Sequence, residues 1–147
     1  MDKKKIPLVE LYPLIKDKLD SEGEVVFKIT GNSMQPFMIH DKTLVTIKKI
    51  DKKLEKHDIV FYKINDHFIL HRILKIKQNH IITCGDGLTL LEHINISDIF
   101  AIVTKFQNGN KVTSVNNIFY KFKVRVWGLL RPIRKYFLYI LRKVKKM

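Results

Sequence analysis

The chain has 147 residues, 46% of them hydrophobic, with only 6 Gly and 4 Pro, which suits one packed core and excludes a low-complexity or disordered chain. Cys84 is the single cysteine, so an intramolecular disulfide is excluded, and no run approaches the roughly 18 uninterrupted apolar residues that span a bilayer. The formal charge of +14 is uneven: residues 1–98 hold 16 Lys and Arg against all 14 Asp and Glu, whereas residues 99–147 hold 12 basic residues and no acid.

In chain order, Met1 to Glu10 lacks the apolar centre of a secretory signal. Leu8, Leu11, Tyr12, Leu14, Ile15 and Leu19 recur at helical spacing, which predicts a short amphipathic helix over residues 6–20, closed by Asp20, Ser21 and Gly23. From Glu24 the pattern changes to runs rich in Val, Ile, Phe and Thr at 24–30, 43–49, 58–64, 67–77 and 79–84, which read as strands. Turn residues separate them: Gly31 and Asn32, Asp41 and Lys42, Asn65 and Asp66, Gln78 and Asn79, and Gly85 to Gly87. A further hairpin is expected from 99–106 and 111–115, joined through Asn108, Gly109 and Asn110.

Helical periodicity returns over residues 117–146. Trp127, Leu130, Ile133, Phe137, Ile140, Leu141 and Val144 form a stripe, and Arg131, Arg134, Lys135, Arg142, Lys143, Lys145 and Lys146 fall on the remaining arc. Pro132 either kinks this helix or opens a new first turn. The expectation is a mainly β domain over residues 1–116 with a short N-terminal helix, followed by a basic amphipathic helix over 117–147.

Ser33 stands in Gly31-Asn32-Ser33-Met34-Gln35-Pro36, after a predicted strand. Gly31 and Pro36 restrict the backbone on either side, a scaffold able to present a hydroxyl and nearby N–H groups to a carbonyl; an ordinary turn serine fits the same spacing. A serine needs a base. His71 interrupts the apolar run Phe68, Ile69, Leu70, Ile73, Leu74, where a polar side chain needs a partner, and a structural histidine is the alternative. Asp86, between Gly85 and Gly87, either orients an imidazolium at His71 or bonds its own turn.

Four ordered boxes, Gly31-Asn32-Ser33-Met34-Gln35-Pro36, His57-Asp58-Ile59-Val60, His71-Arg72-Ile73 and Gly85-Asp86-Gly87, resemble those of the type I signal peptidases, a superfamily shared with the self-cleaving SOS repressors. The resemblance covers about residues 24–105. It implies a coiled, partly barrel-like β-sheet core, with Ser33 as nucleophile, His71 as general base, Asp86 as acidic partner, and Met34 and Pro36 shaping the loop. Histidine where bacterial members carry lysine is similar to the archaeal and endoplasmic-reticulum branch. His57 departs from the usual glycine of the second box, which implies altered local backbone. The resemblance also implies an extended peptide substrate with a small residue before the cleaved bond.

The expected function is therefore a serine endopeptidase acting on a precursor or leader peptide, without a cofactor; a non-catalytic peptide- or membrane-binding module on the same fold is the alternative. No metal is expected, since His67 and His71 stand roughly 13 Å apart along a strand and no carboxylate or cysteine cluster accompanies them. Cys84 reads as a buried thiol. The basic C-terminal helix suits an anionic membrane surface, contacted through Trp127, Arg131, Arg134, Lys135 and Phe137. Its apolar stripe disfavours nucleic acid. The expected location is cytoplasmic, peripheral on the inner face of the cell membrane.

Overall fold

A computed structural model describes residues 8–145 of the chain. Its elements in order are α1 (Leu8–Glu22), β1 (Glu24–Lys28), β2 (Leu44–Lys48), β3 (Ile59–Ile64), β4 (His67–Lys77), β5 (His80–Cys84), β6 (Glu92–Asn95), β7 (Ile99–Asn108), β8 (Lys111–Ser114), α2 (Ile118–Leu129) and α3 (Arg134–Lys145), with single 3-10 turns at Ile96–Asp98 and Arg131–Ile133. The fold is mainly β, as its runs of β-branched and aromatic residues predict. Ile6 and Pro7, at the start of the expected first helix, and Lys146, at the end of the last, lie outside the described residues.

The eight strands form one open antiparallel sheet in the order β1-β2-β7-β3-β4-β5-β6, with β8 paired to β7. Local turn chemistry makes its hairpins. Asn65 and Asp66 both take positive φ between β3 and β4, Gln78 does so before β5, and Gly109 between β7 and β8. The β3–β4 register pairs Val60 with His71 and Ile59 with Arg72, so these two polar neighbours leave opposite faces of the sheet.

Both faces of β3 are covered. Ile59 and Phe61 join a core with Ile15 and Leu19 of α1, Val45 and Ile47 of β2, and Tyr120 and Val124 of α2. Val60 and Tyr62 join a second core with Ile73, Ile81, Ile94 and Ile102. Burial on both faces explains why Ile59–Tyr62 of β3 is a continuous run without polar alternation, broken only at the half-exposed Lys63. The strand β6, absent from the sequence reading, closes one edge against β5; with Ile94 alone buried in it, it carries too little periodicity to announce itself.

The C-terminal segment is two helices rather than one. Asn117 caps α2 by accepting from the Tyr120 N–H at 3.0 Å, and Pro132, in the 3-10 turn Arg131–Ile133, separates α2 from α3. This break changes the expected stripe. Trp127 and Arg134, assigned from the sequence to a membrane-facing surface, are 9% and 3% exposed, with the guanidinium 5.0 Å from the indole ring. Arg134 also donates to the Trp127 carbonyl at 3.1 Å. The kink turns α3 so that positions on one face of a continuous helix no longer share a side.

Candidate active site

The Ser33 loop follows β1 and is held by the Gly85-Asp86-Gly87 turn. Gly87 N–H donates to the Ser33 carbonyl at 2.8 Å, while Gln35 Nε2 donates to Asn32 Oδ1 at 3.0 Å across the base of the loop. A Cβ on Gly85 would overlap the Ser33 carbonyl oxygen, and one on Gly87 would overlap that of Asn32. The two glycines are thus required by close approach of two backbones. Their spacing around Asp86 is set by the loop opposite.

Asp86 does not take the position expected for it beside His71. Both of its oxygens are held by Arg72, Oδ1 by Nε at 2.8 Å and Oδ2 by Nη2 at 2.7 Å, in a pair buried on both sides. Arg72 donates further to the His57 carbonyl at 2.9 Å and the Tyr120 hydroxyl at 2.7 Å. Burial opposes the guanidinium charge, but the attraction of Asp86 outweighs it and holds the Arg72 pKa above its ordinary value. The physical reason for the pairing is the strand's alternation: Arg72 faces α2, and Asp86 joins that side. The Asp86 carbonyl accepts from Trp127 Nε1 at 2.8 Å.

The acid facing His71 is Glu92, on β6. Its Oε1 stands 3.6 Å from Nδ1, an ion-pair distance beyond a good hydrogen bond. Tyr62, 3.4 Å from the same nitrogen, donates to Glu92 Oε2 at 2.8 Å and shares a 2.8 Å contact with the Thr83 hydroxyl. Glu92 escaped sequence reasoning because its strand is short and the Gly-Asp-Gly turn supplied a more obvious acid. Desolvation depresses the His71 pKa, with Glu92 and then Asp86 pulling it partly back; the net shift is downward from 6.5. The imidazole is therefore neutral at neutral pH.

His71 Nε2 lies on the side of Gly85, away from the Nδ1 contacts. The position a Gly85 Cβ would occupy lies 3.0 Å from Nε2 and overlaps the Ser33 carbonyl, so the imidazole and the serine backbone are near neighbours across Gly85. Ser33, half-buried, and His71 line one cavity of about 810 Å³, walled by Leu11 and Ile15 of α1, Val25 and Phe27 of β1, and Phe68 and Leu70 of β4. Among the described residues no hydrogen bond joins Ser33 Oγ to the imidazole. Nor, among those residues, do three His, Cys, Asp or Glu side chains converge on a point suited to a metal.

Two other sequence features find their places. His57, where the resembled family has glycine, takes φ +80°, a conformation glycine adopts freely and a side chain resists. Cys84 is buried, and burial raises its thiol pKa, leaving it an inert thiol. No helix among the described residues is long and apolar enough to cross a membrane.

No curated protein matches the chain in sequence. The Peptidase S24-like family matches residues 4–83, a span that includes Ser33 and His71 and stops short of Asp86 and Glu92. With more than half of the chain matched, and the serine and histidine of one cavity inside the match, the chain belongs to the Peptidase S24-like family.

Proposed function

We propose that the protein is a serine endopeptidase in which Ser33 is the nucleophile, His71 the general base, and Glu92 the acid that orients and stabilises the imidazolium. The observation that carries this reading is the placement of His71, with Nδ1 near Glu92 and Tyr62 and Nε2 beside Gly85, which packs on the Ser33 carbonyl, in the cavity that Ser33 also lines. The tautomer that suits both sides has its proton on Nδ1 and an accepting lone pair on Nε2. Oγ attacks the peptide carbonyl while Nε2 takes its proton. The tetrahedral intermediate collapses as Nε2 passes that proton to the leaving amine, and water then hydrolyses the acyl-serine by the same route. The Ser33 N–H is a donor for the oxyanion. The alcohol–imidazole contact, open in the free enzyme, closes when substrate fills the groove.

The cavity suits an extended chain. Among the described residues β1 pairs with β2 alone, and residues 67–71 of β4 pair with β3 while β5 begins its pairing at Arg72. Both strands therefore offer main-chain donors and acceptors along the cavity, for a precursor or leader peptide bound by strand addition. Apolar walls at Val25, Phe27, Phe68 and Leu70 receive alternate side chains.

The test compares the wild type with Ser33→Ala and His71→Ala, using a fluorophosphonate probe and cleavage of a peptide library read by mass spectrometry. The expected result is labelling and cleavage by the wild type alone, with Ser33→Ala losing at least 1000-fold. Equal labelling of Ser33→Ala removes Ser33 as nucleophile. Wild type that binds library peptides without cutting them makes the domain a binding module.

A further inference from the structure

The helix α2 carries two apolar faces, of which its own fold uses one. Tyr120, Val124 and Trp127 are buried against the core. Ile118, Phe119, Phe122, Val126 and Leu129 are exposed, with Phe119 at 78% and Leu129 at 81%. At about 100° per residue these five fall within an arc of about 100°, on the side of the helix opposite the buried three. Lys123 borders that arc on one side and Lys121 and Arg125 on the other, all exposed. In α3 the same arrangement recurs: Leu138 is buried, while Tyr136, Phe137, Ile140 and Val144 are exposed beside Lys135 and Lys143.

So much exposed aromatic and aliphatic surface, concentrated in one segment, marks a docking surface. We propose that the outward faces of α2 and α3 lie on the surface of an anionic lipid bilayer, with Phe119, Phe122 and Leu129 inserted at the headgroup boundary and the flanking Lys and Arg on lipid phosphates. Charge selects this occupant. Residues 99–147 carry 12 basic side chains and no acid, so a second copy pressed against the same face meets like charge. Nucleic acid would leave the central apolar arc without a partner. An apolar arc bordered by cations is the pattern of a helix lying in a membrane interface.

The surface differs from the one read off the sequence, since Trp127 and Arg134 serve the interior. The docked helices still touch the turn that holds the Ser33 loop, because Trp127 bonds the Asp86 carbonyl and Arg142 donates to the Gly87 carbonyl at 3.3 Å. The proposal holds whether or not Ser33 is catalytic. It is tested by flotation of the full chain with vesicles of phosphatidylcholine alone or containing one quarter phosphatidylglycerol. Wild type is expected to float with the anionic vesicles and to weaken as salt rises. Phe119→Ser/Phe122→Ser/Leu129→Ser and, separately, Lys121→Glu/Lys123→Glu/Arg125→Glu are each expected to lose at least tenfold in binding, with thermal unfolding confirming that the folds are retained. Failure of the wild type to float with anionic vesicles, or undiminished flotation of both variants, overturns the proposal. A dimer in sedimentation that the Phe119/Phe122/Leu129 variant dissolves would assign the face to a second copy and overturn it equally.

Discussion

Replacing Glu92 with Gln removes one charge and little else, because the amide keeps an oxygen for the Tyr62 hydroxyl. In the proposed mechanism His71 becomes an imidazolium as it takes the Ser33 proton, 3.6 Å from the Glu92 carboxylate. At an effective dielectric of about 20 that pair attracts by about 4–5 kcal/mol. The Glu92 side chain is 24% exposed, and solvent screening leaves about 1.5–3 kcal/mol, or roughly 10- to 150-fold in kcat/KM. The loss should fall on kcat, since the charge acts in the transition state. The acid limb of the pH profile should move further down: burial already depresses the His71 pKa, and Glu92 is the larger of the two influences raising it. The assay is hydrolysis of a fluorogenic peptide across the acid range, with active serine counted by fluorophosphonate titration. A kcat within twofold of wild type, or an acid limb that stays in place or rises, refutes the role of Glu92.

Other substitutions separate the parts of the site. Asp86→Ala leaves the buried Arg72 guanidinium without its counterion and should cost about 3–5 kcal/mol in denaturant unfolding; Arg72→Met/Asp86→Leu should recover much of it. Gly85→Ala drives a Cβ into the Ser33 carbonyl and should slow fluorophosphonate labelling at least tenfold with about 1–3 kcal/mol of destabilisation, whereas Gly128→Ala, with nothing within 4 Å of its Cβ, should leave labelling unchanged. His57→Gly relieves a side chain held at φ +80° and should raise stability by about 0.5–1 kcal/mol, the relief of roughly 1–2 kcal/mol being partly offset by glycine's greater unfolded-chain entropy. Because His71 is buried neutral, its contribution to stability is full above 6.5, its unfolded value, and is lost as pH falls below that. His71→Gln should flatten that acid-side decline in urea titrations.

Much of the domain was legible because local chemistry decides it. Asn65-Asp66 and Gly109 dictate tight hairpins wherever the rest of the chain lies, and runs such as His67–Lys77 carry strand propensity along their whole length. Ser33 and His71 stood out as candidates for a related reason: each sits where an ordinary residue would be simpler, a serine on a constrained loop and a histidine in an apolar strand. Their nearness across Gly85 was not, since it depends on two loops more than fifty residues apart meeting backbone to backbone.

The choice between Asp86 and Glu92 shows the limit most directly. Sequence alone determined that an acid stands between two glycines after a strand, and that acid was the natural candidate for His71. Only the tertiary structure decided the partner, because strand alternation puts Arg72 on the face that Asp86 reaches and leaves the face of His71 to a residue from β6. The C-terminal stripe divided in the same way. Composition determined that the segment is basic and holds many apolar residues; the break at Pro132 and the packing of Trp127 against the Asp86 turn decided which apolar residues face inward and which face out.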